Sequence, residues 1–168
     1  MIQPEFSRPI DRHRIPAGVL TLTATEAECA ALAKRFALVS VERLAATVTL
    51  VDDGAAVTAT GLLSTAIVQS CAVSGEDLPV KIDEPFTLRF VPEQTPLGDE
   101  IELEASALDE IPYEGETFDL GEELAQTLGL AIDPYAEGPN ADRVRREAGL
   151  GDEASSGPFA ALAALKKN

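Results

Sequence analysis

The sequence predicts an α+β fold in which two packed helices cover a curved antiparallel sheet or a partly closed barrel. Residues 46–91 contain several β-like stretches separated by short turns, which favours antiparallel neighbours. Helical patterns flank this region, at about 25–36 and after Asp119. A chain of 168 residues is expected to form one domain. We place a single α+β domain at 1–135 and a flexible linker with a short helix at 136–168, as a mobile C-terminal tail.

The first helix is marked at its start by a capping pattern. Thr25 can cap the N-terminus, and Glu28 stands three residues later, as a capping box requires. Leu32 and Phe36 then form an apolar pair at i and i+4. These signals predict a helix over about 25–36.

The β region follows, with alternating or β-rich stretches bounded by turn residues. Asp53-Gly54 is a strong hairpin signal, and Gly61 in the middle of a long stretch suggests a bulge or bend. Residues 101–104 are charged and suit a short edge strand. The strands expected before that edge are 46–51, 56–71, 80–82 and 86–91.

The second helix begins at another capping residue. Asp119 can cap it, with Glu122 at the capping-box position, and Leu120, Leu124 and Leu128 share one face. Pro134 prevents continuation of this helix. The polar segment 135–156 is expected to be a mobile linker, and 158–166 a short amphipathic helix.

Charge is the strongest compositional feature. The chain has a net charge of −16, of which −15 falls in residues 76–168. Between Asp99 and Glu123 there are eleven acidic residues and no Lys or Arg. Such a surface repels phosphate backbones and attracts basic partners; the alternative is a solvated face that keeps the protein in solution. The partner-binding residues predicted from this segment are Asp99, Glu100, Glu102, Glu104, Glu114 and Glu116.

Two small basic clusters indicate a more limited contact with RNA phosphate. The first lies near the N-terminus and the second interrupts the acidic half. The alternative for the second is a solvated linker whose charges offset the neighbouring acids. The arginines predicted to contact RNA are Arg8, Arg12, Arg143, Arg145 and Arg146.

Catalytic chemistry has little support. His13 is the one histidine, no nucleophile lies near it in sequence, and no Gly-rich phosphate loop is present. The cysteines Cys29 and Cys71 lie far apart, so zinc has too few ligands and Cys71 is expected to be a core thiol. We therefore predict a non-enzyme without metal or cofactor. The alternative is a metal-dependent hydrolase or nuclease that uses Glu102, Glu104, Asp109 and Glu110.

The two cysteines suggest reduced thiols inside a cell, because no disulfide framework surrounds them. No stretch has the pattern of a secretory signal or the length needed to span a bilayer. We expect a cytoplasmic protein without membrane contact.

Several short segments, taken in their order, resemble the YceD family, in its alphaproteobacterial branch. They include Phe6-Ser7-Arg8-Pro9, Val68-Gln69-Ser70-Cys71-Ala72-Val73-Ser74, Asp119-Leu120-Gly121-Glu122, Leu130-Ala131-Ile132-Asp133-Pro134-Tyr135 and the segment 157–166. The motif residues that carry the resemblance are Gln69, Cys71, Asp119, Gly121, Glu122, Pro134 and Tyr135.

The resemblance implies a role in the accumulation of large-subunit (23S) ribosomal RNA. Many members carry a Cys-x-x-Cys and a second cysteine pair, which implies a metal site, but Ser74 replaces the partner of Cys71 and no cysteine follows Ile132. Family genes often neighbour the gene of a small basic ribosomal protein of the large subunit. The hypothesis is a non-enzymatic ribosome-biogenesis factor that binds this protein or a pre-ribosomal particle. A protein-binding regulator is a further alternative.

Overall fold

The computed structural model describes residues 3–93 and 110–149, and every structural statement here concerns these two ranges. They form an α+β fold, as predicted. A short 3-10 turn lies at Arg12–Arg14. The strands and helices are, in chain order, β1 Pro9–Asp11, β2 Val19–Thr23, α1 Glu26–Arg35, β3 Ser40–Asp52, β4 Val57–Ser70, β5 Asp77–Pro92, β6 Glu110–Tyr113, β7 Thr117–Asp119, α2 Leu120–Ala131 and α3 Ala141–Glu147.

The strands form a five-stranded sheet in the order β2-β3-β4-β5-β6 and a two-stranded sheet of β1 and β7. The predicted antiparallel pairing is confirmed from β2 to β5. It is wrong for β6, which runs parallel to β5 from the pair Arg89 and Glu110 onwards. A parallel neighbour requires a connection of a dozen or more residues, and seventeen positions of sequence separate the end of β5 from the start of β6. A partly closed barrel is also wrong for the described strands, since β2 and β6 lie at opposite edges of the sheet.

The two strands predicted at 80–82 and 86–91 are one strand, β5. Its pairing with β4 is continuous from Asp77 to Phe90, through both Pro79 and Pro85. A proline has no backbone N–H to donate, so a strand tolerates it where the nitrogen points to an edge of the sheet without a neighbouring strand. Strand β6 pairs only with the end of β5, which leaves the edge at both prolines without a partner among the described strands.

Gly61 serves close packing between strands, and the predicted bulge at this position is wrong. Its register is continuous with Val48 on β3 and Phe86 on β5. A Cβ atom at Gly61 would lie 1.8 Å from the carbonyl oxygen of Thr47, so a side chain cannot fit between these strands. The register shifts instead on β3, between Val41 and Arg43.

Helices α1 and α2 pack on the sheet and build the core between the layers. Helix α1 has the predicted capping box of Thr25 and Glu28, and Asp119 caps α2. The leucines at 120, 124 and 128 are fully buried, as expected for one apolar face. Stacking of Phe90 on Phe118, with ring centroids 4.3 Å apart, joins the large sheet to the small one.

Helix α3 occupies part of the segment predicted to be a flexible linker, and that prediction is wrong over Ala141–Glu147. Asn140 precedes the helix without a side-chain capping bond, so the sequence carries only a weak start signal. The edge strand predicted at 101–104 and the helix predicted at 158–166 lie outside the described residues.

Replacing Ala37 by Gly is expected to stabilise the protein by about 0.5–1 kcal/mol, because Ala37 has φ +53°. Helix α1 ends there in a Schellman motif, in which Leu38 N–H donates to the Ala33 carbonyl and Ala37 N–H to the Lys34 carbonyl. Urea unfolding measures the change. The control Ala27→Gly, on an exposed position of the same helix, should destabilise by about 1 kcal/mol. A loss of stability for Ala37→Gly would contradict the strain argument.

Candidate functional site: two junctions and an acidic surface

The first candidate site is an N-terminal junction, formed where Ser7 and Arg8 meet the start of α2. One carboxylate oxygen of Asp119 accepts the Ser7 hydroxyl at 2.6 Å. The other accepts the N–H groups of Arg8, at 2.7 Å, and of Glu122, at 3.2 Å. Leu120 N–H donates to the Arg8 carbonyl at 3.1 Å. Asp119 therefore caps its own helix and fixes the N-terminal segment with the same side chain.

Gly121 is required at this junction by the closeness of the N-terminal backbone. A Cβ atom there would lie 2.7 Å from both the Arg8 nitrogen and the Phe6 carbonyl oxygen. Phe6 itself is fully buried, so the segment cannot move outward without exposing its ring. Gly121 is one of the motif residues that carry the family resemblance, and this close approach is the physical reason for a glycine at that position.

Glu122 reaches away from the cap and links the two helices. Its carboxylate accepts hydrogen bonds from both terminal nitrogens of Arg35, at 2.8 and 3.0 Å. Arg35 also donates to Glu5 at 2.9 Å. This arrangement raises the pKa of Arg35, chiefly through the bond to Glu122. The capping-box position thus carries an ion pair between α2 and α1.

Arg8 joins the N-terminal segment to α1. Its guanidinium donates to the two oxygens of Glu28 at 2.7 and 2.9 Å and lies over the Phe6 ring. Glu28 also accepts the Thr25 N–H at 2.7 Å, completing the capping box. The bond from Arg8, followed by that from Thr25, lowers the pKa of Glu28 to about 2 against burial, which raises it.

The second candidate site is a Cys71 junction, where the end of β4 meets the segment after α2. The Cys71 sulfur accepts N–H bonds from Gly138 at 3.2 Å and Ser74 at 3.4 Å. These bonds, that of Gly138 first, lower the pKa of Cys71 to about 7. The Gln69 amide donates to the Asp133 carbonyl at 2.8 Å. Cys71 is buried as predicted, but it lies outside the main apolar core and joins two loops.

Pro134 and Tyr135 belong to the same junction and leave their side chains exposed. Helix α2 ends at Ala131, and the Tyr135 N–H then donates to the Asp133 carboxylate at 2.9 Å. A backbone bond from Ala72 to the carbonyl of Ala136 holds this segment against the loop after β4. Tyr135 is 79% exposed, so its ring is available at the surface.

The residues around Cys71 do not fit the metal site that the resemblance implies. The sulfur faces backbone N–H donors, which repel a cation, and the Ser74 hydroxyl bonds to Glu76 at 3.3 Å. Within the described ranges, no three His, Cys, Asp or Glu side chains are arranged to hold a metal ion. Cys29, the other free thiol, lies on the buried face of α1 and belongs to the core.

Internal ion pairs occupy most of the arginines. Arg8 and Arg12, both predicted to contact RNA, are partly buried and engaged within the fold. Arg12 donates to Tyr113 Oη and the Gly54 carbonyl, and lies 3.6 Å from Asp52. On α3, Arg143 and Arg146 are more exposed, whereas Arg145 pairs with Glu137. The RNA-contact prediction stays a prediction, and α3 is its more accessible part. The arginines with a carboxylate partner are Arg8, Arg12, Arg35, Arg89, Arg143 and Arg145.

The predicted acidic face is described only in part. Glu114 and Glu116 lie in the exposed loop between β6 and β7, where Glu116 is 3.6 Å from His13. Burial and the neighbouring acids raise the pKa of Glu123 on α2. Four residues assigned to this face lie outside the described ranges: Asp99, Glu100, Glu102 and Glu104.

Sequence reasoning missed the partners that complete both junctions. Glu28 was visible only as a capping residue, and nothing local indicates its pairing with Arg8, twenty positions away. No local pattern indicates the contacts that Arg35, Asp133 and Gly138 make. Their roles arise from contacts between distant segments.

We expect Arg8→Met to lower the free energy of unfolding by about 1–2 kcal/mol at pH 7. Glu28 has a lowered pKa, so its pairing stabilises the fold above the ordinary value of 4.5 and is lost as pH falls towards about 2. Urea unfolding at pH 7 and at about pH 3 should therefore show a shrinking difference from wild type. Arg43→Met, at an exposed arginine, is the control; a difference that is constant with pH would contradict the assignment.

The helices of the described ranges are each too short or too polar to cross a membrane. The predicted cytoplasmic location stays a prediction.

Comparison with known proteins supports the resemblance. Residues 59–166 match the family described as "YceD: Large ribosomal RNA subunit accumulation protein YceD". No curated protein and no solved structure matches the chain. The matched range includes the Cys71 junction and the α2 half of the N-terminal junction; the branch within the family stays a prediction. Because the match covers more than half of its residues, the chain belongs to the YceD family of large ribosomal RNA subunit accumulation proteins.

Proposed function

We propose that this chain is a non-enzymatic assembly factor that binds a basic large-subunit ribosomal protein, or a pre-ribosomal particle, through its acidic surface. The family name supplies the link to large-subunit RNA. During ribosome assembly, basic ribosomal proteins must reach their sites on the RNA without binding to the wrong RNA segments. A protein of net charge −16 can hold such a partner by charge complementarity.

The observation that carries this proposal is the internal neutralisation of the arginines. Six of the nine arginines have a carboxylate partner within the chain. Arg14, Arg43 and Arg146 have no carboxylate partner among the described residues, and together with the four lysines of the sequence they are too few to offset 29 acids. Ion pairing leaves the net charge of −16 unchanged, so the long-range field of the protein is negative, which favours a cationic partner over a nucleic-acid backbone.

An electrostatic complex of this kind associates quickly and weakens as salt rises. Those properties suit a factor that shields a ribosomal protein and then yields it to RNA, whose charge density is higher. Limited contact between α3 and RNA is compatible with this exchange. The regulator hypothesis invokes a different protein partner, and the partner's identity separates the two.

The hydrolase hypothesis gains no support from the described residues. Glu110, one of its four carboxylates, lies 3.2 Å from Arg89 on β5 and forms an ion pair with it. The other three, Glu102, Glu104 and Asp109, lie outside the described ranges. Purified protein that degrades RNA with magnesium, and loses this activity with Asp109→Ala and Glu110→Ala, would revive the hypothesis.

Reversing the acidic face is expected to abolish binding, because attraction becomes repulsion. The variant carries lysine at positions 102, 104, 114 and 116. Fluorescence titration with purified proteins extracted from large ribosomal subunits, at low and at raised salt, measures the affinity. The control variant has the same change in net charge, because lysine replaces four exposed acidic residues on and beside β5. These residues are Asp77, Asp83, Glu84 and Glu93.

Wild type should bind with strong salt dependence, the control should retain most of the affinity, and the face variant should lose it. Equal binding of wild type and the face variant would overturn the proposal of an acidic docking surface. A wild type that binds none of these proteins would overturn the assembly-factor proposal as a whole.

A further inference from the structure

A groove separates the exposed side of α1 from the beginning of β3, with a cavity volume of about 600 Å³. Its floor is apolar, with Cys29, Ala33 and Val41 buried at its base. Along α1 the residues at 26, 29, 30 and 33 line it, which is the spacing of one helical face. The alanines on this face leave the space open, and Val39, 49% exposed, forms an apolar edge.

Two carboxylates border this floor. Glu26 in the first turn of α1 and Glu42 on β3 are both exposed, and neither has a described cation within salt-bridge distance. Burial, together with the charges of Glu28 and Glu42, raises the pKa of the Cys29 thiol. The groove therefore combines an apolar floor with a negative rim.

An anionic occupant would meet only part of the donors of the helix start. Thr25 Oγ1 accepts the Glu28 N–H, and the Glu28 carboxylate accepts the Thr25 N–H, so the capping box already uses both groups. Phosphate or an acidic peptide would face Glu26 and Glu42 instead. Charge complementarity favours a cationic segment.

We infer that this groove binds a Lys- or Arg-rich segment of a basic protein, which inserts an apolar side chain onto the floor and places cations beside Glu26 and Glu42. This inference rests on the proposed function and adds a second, specific contact for the same class of partner. Exposed ion pairs contribute little net affinity, whereas a buried apolar anchor contributes most of the energy at an interface. The acidic surface attracts the partner, and the groove retains it.

The test compares full-length variants that differ only in position. Ala30→Trp fills the groove, and Ala27→Trp places the same side chain on an exposed position of α1 that does not line it. In a second pair, Glu26→Gln with Glu42→Gln removes the rim charges, and Asp77→Asn with Glu84→Gln removes two charges elsewhere. The probe is the purified mixture of large-subunit ribosomal proteins, with affinity measured by titration and folding by circular dichroism.

We expect about tenfold weaker binding or more for both groove variants and wild-type binding for both controls. The rim variant keeps the test decisive if Ala30→Trp fails to fold. Wild-type affinity in the groove variants, with salt-sensitive binding retained, would overturn this inference and leave the proposed function standing. The absence of binding by wild type would overturn the proposed function, and this inference with it. If the wild type self-associates, and Ala30→Trp makes it monomeric without loss of ribosomal-protein binding, the groove serves self-association and binds a second copy. That result would overturn the inference.

Discussion

The Asp119 carboxylate is the interaction on which the rest of the structure depends. It accepts three hydrogen bonds, from Ser7, Arg8 and Glu122, and so holds the chain's beginning against the start of α2. Because this segment is fixed, β1 can pair with β7, and Arg8 can reach Glu28 on α1. This partly buried polar contact thus links the N-terminal segment to both helices, whose apolar faces pack on the sheet. Charge-assisted bonds of this kind are among the stronger ones in proteins.

The distribution of charge follows from the same architecture. The fold uses arginines as internal connectors: Arg8 and Arg35 join the helices, and Arg89 joins Asp53 to Glu110. Each of these ion pairs neutralises one arginine and one carboxylate, so the excess of acidic over basic residues is unchanged. A protein built in this way presents a negative field to its surroundings, and the groove beside α1 adds an apolar floor to that field. The assembly-factor proposal rests on this combination.

Local signals predicted much of the fold, and contacts between distant segments explain what they missed. The caps at Thr25 and Asp119 involve neighbours within three positions, so the sequence displays them directly. The parallel pairing of β6 with β5 joins strands that are seventeen positions apart in sequence, and no local pattern encodes it. Gly61 and Cys71 show a similar limit: a close approach by β3 and a bond from Gly138 determine their roles, and both partners are distant in sequence.

Affinity purification of the tagged protein from its native host, with and without ribonuclease, tests the central claim most directly when followed by gradient sedimentation and mass spectrometry. The account predicts that a basic large-subunit ribosomal protein co-purifies and that the association survives ribonuclease, because the contact is between proteins. Sedimentation with large-subunit precursors in untreated extract is the accompanying result. A free pool of the protein, with no ribosomal protein attached in either condition, would contradict the account.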